Sequence, residues 1–136
     1  MAKGLSPTQR TLRALREEGR ICEIVEKWVM VPGMPGGGYR KDLFGFIDII
    51  ALDPERGVLA VQSCGQSFKA HVDKIMDSEC TENVIEWLKS PSKPKLECWG
   101  WRKVKLRMGS KAMRWRPRVA EVFLNENGEL SYVEGK

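Results

Sequence analysis

The sequence of 136 residues contains a single histidine and four scattered cysteines. Cys22, Cys64, Cys80 and Cys98 form no CxxC pair, so the spacing of a zinc site is absent and free thiols in a reducing compartment are expected. No apolar run approaches the ~20 residues that a membrane-spanning helix requires. The opening "MAKGLSPTQR" has no apolar signal-peptide core, which points to a cytoplasmic chain. The glycines of "PGMPGGGYRK" have neither the spacing nor the following helix of a phosphate-binding loop, and they read as a flexible hairpin or flap. No internal repeat is visible.

What is present is charge, unevenly placed. The net charge is +5 with 30% charged residues. Between Lys89 and Arg118 stand eleven basic residues opposed only by Glu97, so this segment carries +10 and the remainder −5. Such asymmetry is the footprint of a polyanion, most often nucleic acid, or else of a basic surface that serves only solubility. Along "ECWGWRKVK", Trp99, Trp101, Lys103 and Lys105 share one strand face, with Arg102 on the other. The two tryptophans could stack on bases or pack beneath a helix while the lysine heads reach water. Lys111 precedes "RWRPR", where Arg114, Arg116 and Arg118 suit bidentate contact with backbone phosphates. Nothing here reads base identity, so selectivity for shape is expected.

The local patterns give a sequence of elements. Ser6, Pro7 and Gln9 form a cap, a first helical residue and a capping box, so a helix is expected from Pro7 to Glu18, stopped at Gly19. Ile21–Val31 reads as one strand, "DLFGFIDIIAL" as a second and "VLAVQSC" as a third, the last two joined through the turn "DPERG". Helical spacing returns in "QSFKAHVDKIM" and "TENVIEWLKS", and two late strands follow. The order is α-β-β-β-α-α-β-β: an α/β or α+β fold with a central mixed sheet flanked by helices. One domain is expected over residues 1–124, with a loose polar tail at 125–136.

Within the second strand, Asp48 interrupts a β-branched apolar run. Pairing through "DPERG" brings Asp48 near Gln62, whose face Cys64 shares. A carboxylate beside an amide carbonyl is a hard-oxygen site suited to Mg²⁺. The alternative is a buried structural aspartate held by hydrogen bonds. Asp42, on the same strand parity, is either a second carboxylate or a cap at the start of the strand.

"GFID" at the end of one strand, followed by a turn and "VLAVQSC" on the next, resembles the PD-(D/E)XK nuclease superfamily, notably its Holliday-junction-resolvase and restriction-endonuclease-like branches and their small phage-type members. The likeness spans about Ser6 to Leu106. It implies a restriction-endonuclease-like fold and a Mg²⁺- or Mn²⁺-dependent endonuclease hydrolysing DNA, branched DNA included, in many relatives as a homodimer. Asp48 matches the motif aspartate and Gln62 the glutamine form of the next position. The family's lysine falls on Cys64, and a neutral thiol cannot position water or offset negative charge. A lysine supplied from the following helix, Lys69 first and Lys74 second, is the expected substitute. A glutamate of the first helix, Glu17 or Glu18, is the expected further metal ligand. If the site is degraded, the same fold leaves an inactive nucleic-acid-binding module; a phage-type interaction factor with a basic face is the third expectation.

Overall fold

The computed structural model describes residues 4–135; the first three residues of the expected domain and Lys136 of the expected tail lie outside it. Helix α1 (Pro7–Glu17) begins as its sequence dictates. The Ser6 hydroxyl accepts from Gln9 N–H, and the Gln9 side chain accepts from Ser6 N–H, completing the capping box. A six-stranded sheet follows in the order β1 (Ile21–Ile24), β4 (Ile49–Asp53), β5 (Gly57–Cys64), β6 (Lys95–Lys105), β7 (Met113–Leu124) and β8 (Leu130–Gly135). β5 and β6 are parallel and every other pair is antiparallel, so the sheet is mixed. A separate two-stranded sheet pairs β2 (Lys27–Met30) with β3 (Gly38–Lys41). The fold is α+β, with α1 on one face of the central sheet and α2 (Phe68–Met76) and α3 (Thr81–Lys89) on the other.

Both faces are apolar, which explains the continuous hydrophobicity of β4 and β5. On one face Leu15 of α1 packs with Ile49, Ala51, Leu59, Val61, Trp99, Trp101 and Val119. On the other, Phe68, Val72 and Ile75 of α2 and Val84 of α3 close over Ala60, Cys64, Leu96 and Cys98. Gly100 has a steric reason: a Cβ there would come within 2.5 Å of the Phe68 ring.

The tryptophans of β6 therefore pack beneath a helix. Trp99 and Trp101 are buried against α1 and offer no ring face to a base. Trp101 Nε1 donates to Thr11 Oγ1 at 2.8 Å, and Ser63 Oγ donates to the same oxygen at 2.9 Å. Thr11 thus ties the first turns of α1 to the C-terminal end of β5.

Three expectations change. The stretch Ile21–Val31 is two strands, because the chain leaves the central sheet at Val25, whose N–H bonds Asp48 O, and turns back through the Pro/Gly run as the β2–β3 hairpin. Asp48 lies just ahead of β4 rather than within a strand beginning at Asp42; residues 42–48 form a tight turn closed by a bridge between Leu43 and Ile47. The expected polar tail carries β8, which pairs with β7 from Leu124↔Leu130 to Val119↔Gly135 through the turn at Asn125–Gly128. It mixes apolar and polar residues and is largely exposed beyond Ser131, as suits an edge strand. Among the described residues no helix is long and apolar enough to cross a membrane.

Thr11→Val should cost about 2–4 kcal/mol, because it leaves two buried donors without their acceptor while keeping the side-chain volume. Urea denaturation of the variant against the parent chain checks this.

Candidate metal centre and nucleic-acid interface

The register places one end of the sheet in common. β4 begins there, β5 ends there, and β1 ends opposite the start of β4 at Ile24↔Ile49. Asp48 closes this end. Its backbone N–H bonds Val61 O, and its Oδ2 accepts from Ser63 N–H at 2.7 Å. Gln62 Nε2 reaches Asp42 Oδ2 at 3.5 Å. Asp42 thereby brings together two of the expected partners, the amide of Gln62 and the carboxyl of Asp48.

The third acid is Glu26. One carboxylate oxygen from each of Glu26, Asp42 and Asp48 lies within 4.8 Å of the others. Glu26 stands at the break between β1 and β2, where the chain turns out of the central sheet. The signal available in sequence was the adjacent charged pair Glu26–Lys27 breaking a largely apolar run; reading that run as one strand hid it. Glu17 is not brought to the site. It pairs with Arg13 at the C-terminal end of α1, at 3.3 Å, whereas the first turns of α1 face the end of β5. Glu18 pairs with Arg20 at 2.8 Å.

The charges of the trio are incompletely balanced. Arg40 lies 3.4 Å from Glu26 and Lys74 3.8 Å from Asp42, but among the described residues no cation reaches Asp48, which is 4% exposed. Burial pushes the Asp48 carboxyl up to about 9, and its hydrogen bond with Asp42 adds to that rise against the lowering effect of Ser63 N–H. Burial and the neighbouring acid thus favour the protonated form of Asp48. Gln62 is 1% exposed and its Oε1 has no hydrogen-bond partner among the described residues. The three carboxylates are a hard-oxygen set that fits a divalent cation such as Mg²⁺ or Mn²⁺, and turning the Gln62 amide over would bring its partnerless oxygen toward Asp42.

The two lysines expected to stand in for the one absent at Cys64 are placed differently. Cys64 belongs to the apolar cluster with Phe46 and Phe68, with Cys98 and His71 as polar neighbours. Lys69 is turned away: its Nζ is held by Asp73 at 2.6 Å. Lys74, roughly 140° further round α2, is the lysine that approaches Asp42.

Beside the trio two hairpins project from the same end of the sheet. One is β2–β3. The other is the ribbon formed where β6 runs beyond Gly100, past the end of β5, against β7 before Val119, where pairing with β8 starts. On this ribbon Arg102 and Arg116 are direct cross-strand partners, with Arg114 and Arg118 on the same face. Like charges directly opposite are unfavourable unless an anion joins them. Arg102, Arg114 and Arg116 make no ion pair among the described residues. Arg118 does: it binds Glu134 through two contacts of 3.0 Å and stacks over Phe68. Lys103 lies over the Trp115 ring, which Arg10 covers at 4.0 Å, while Lys105 and Lys111 are exposed near the ribbon tip. Glu97, the lone acid in the basic segment, is buried at the opposite end with Arg56 at 3.1 Å and offsets none of the ribbon's charge.

No family model, curated protein or solved structure matches the chain.

Because the Asp48 pKa is higher folded than unfolded, the folded chain holds the extra proton between the two values, and stability falls as pH rises through that window. Metal-free protein should therefore lose stability between about pH 5 and pH 8. Asp48→Asn, which keeps an acceptor for Ser63 N–H, should flatten that loss. Denaturation midpoints across the pH series give the comparison.

Proposed function

We propose that this chain is a metal-dependent DNA endonuclease with a restriction-endonuclease-like arrangement, acting in the cytoplasm and selecting DNA by structure rather than sequence. The observation that carries the reading is the trio Glu26, Asp42 and Asp48, within 4.8 Å of one another at a sheet end from which two basic hairpins project. Glu26, Asp42 and Asp48 would hold Mg²⁺ or Mn²⁺, with Gln62 supplying an amide oxygen. The bound ion supplies acidified water and charge compensation for a phosphodiester.

The chain's own residues supply the rest. Ser63 N–H fixes the Asp48 carboxylate. Lys74, from α2, offers positive charge beside Asp42 where β5 offers only a thiol. Arg102, Arg114 and Arg116 neutralise backbone phosphates flanking the reacting one. This contact carries no base information, and it weakens steeply with salt. Cys64 favours a second reading, an inactive nucleic-acid-binding module on the same fold, because no lysine of β5 stands at the acids.

With Mg²⁺ or Mn²⁺ the chain should nick supercoiled plasmid, and Asp48→Ala should abolish nicking. Lys74→Met should slow it by about 10²-fold or more, and Lys69→Met should leave the rate unchanged. No cutting of any DNA form would sink the nuclease claim. Salt-sensitive DNA binding would then favour the inactive module, and absent or salt-independent binding would favour a protein partner.

A further inference from the structure

Asp42 faces two ways. It belongs to the acidic trio and also lines a neighbouring cleft of about 740 Å³ between the β2–β3 hairpin and the turn at residues 42–45. That volume lies in the range of sites for small organic ligands. It is of the size of a small-ligand site, not of a groove that takes a duplex.

The two walls of the cleft differ in chemistry. Alternation along the hairpin puts Lys27, Val29, Tyr39 and Lys41 on one face. Lys27 and Lys41 are direct cross-strand partners, and neither has an acid partner among the described residues. Two like charges held opposite each other are destabilising until an anion sits between or above them. Tyr39, on the same face, is 44% exposed.

Across the cleft, Phe44 is 53% exposed and has φ +56°, a backbone conformation that bulky side chains rarely adopt. The turn is fixed in that state by Asn83 of α3, whose Nδ2 donates to Phe44 O at 3.0 Å. An aromatic ring is thus kept in solvent by a strained turn locked from behind, in a place where a relaxed backbone and a buried ring would be the cheaper arrangement.

Two ring faces and two unpaired lysines beside a phosphodiester site match one ligand chemistry. We infer that the cleft receives a single unstacked nucleotide of the DNA strand presented to Glu26, Asp42 and Asp48, its base against Phe44 or Tyr39 and its phosphate at Lys27 and Lys41. This rests on the nuclease reading and names its substrate class: DNA with an unpaired nucleotide at the site, as at a bulge, flap or branch. In continuous duplex the faces of a base are covered by its neighbours, so these rings gain nothing from it. An unpaired base costs least to bring out of the stack.

The test uses duplexes carrying 2-aminopurine either at a one-nucleotide bulge or at a paired position, titrated with the protein in EDTA so that no cutting occurs. The bulged DNA should bind about tenfold or more tightly than the paired one, with quenching of the bulged fluorophore as it stacks on a ring. Phe44→Ala and Tyr39→Ala should lose that preference and reduce the quench, and keep their affinity for paired duplex, which the β6–β7 ribbon sets. Lys27→Gln combined with Lys41→Gln should lose the preference with both rings intact. Equal affinity for the two duplexes, or a full quench in a chain carrying both ring substitutions, overturns the assignment. Plasmid nicking without bulge preference overturns the cleft and leaves the nuclease reading standing. Preference and quench without nicking on any DNA support the cleft and overturn the nuclease reading alone.

Discussion

Asp48 is nearly buried, and the hydrogen-bond donor fixed on it by the backbone is Ser63 N–H, at 2.7 Å. A carboxylate in that position is costly unless a proton or a cation answers it. The surrounding structure makes the need greater, because Asp42 and Glu26 bring two further carboxylates to it. The β4–β5 register fixes Asp48 on Ser63, the break after β1 brings in Glu26, and the turn at 42–48 returns Asp42 to the same point. The fold assembles three acids at the end of its central hairpin, and among the described residues the cations paired with them stand on Glu26 and Asp42, a cluster that could hold a divalent ion.

The positive charge is arranged around this point rather than on it. Arg102 opposite Arg116 and Lys27 opposite Lys41 are two like-charged cross-strand pairs, one on each projecting hairpin. Cross-strand pairs of this kind oppose folding, and both are relieved by a polyanion. Arg118, by contrast, is committed to Glu134 and to the Phe68 ring, so it braces the root of the ribbon against β8 and α2. Division of the arginines into bracing and free ones lets the ribbon keep its shape and, on the proposed reading, would leave its outer residues for phosphate.

Much of the fold was legible because local signals agreed with packing. The capping box at Ser6–Gln9, the helical spacing of Phe68, Val72 and Ile75, and the turn at Asp53–Gly57 all stand where the residues place them. The β-hairpin through Gly57 also placed Asp48 and Gln62 at the same end of the sheet from parity, whereas the contact of Gln62 with Asp42 depends on the turn at 42–48 and was not readable that way. What was hidden depended on where the chain changes direction. Glu26 became visible as a site residue only when the run Ile21–Val31 proved to be two strands in two sheets. Glu17 was expected as a ligand from the resemblance alone, and the direction in which α1 crosses the sheet, which its own periodicity does not show, carries it away from the acids. Lys69 and Lys74 are both exposed lysines of one helix, and only the packing of Val72 and Ile75 decides which of them points at Asp42. The β8 strand was missed because a short half-polar edge strand has the composition of a tail.

The most direct test of the account is a crystal of the protein soaked in Mn²⁺, with anomalous diffraction recorded above the manganese edge. The account predicts an anomalous peak bounded by carboxylate oxygens of Glu26, Asp42 and Asp48, with the Gln62 amide oxygen turned toward it. A well-ordered site with no peak there, or a peak that persists in Asp48→Ala crystals on other residues alone, would contradict it.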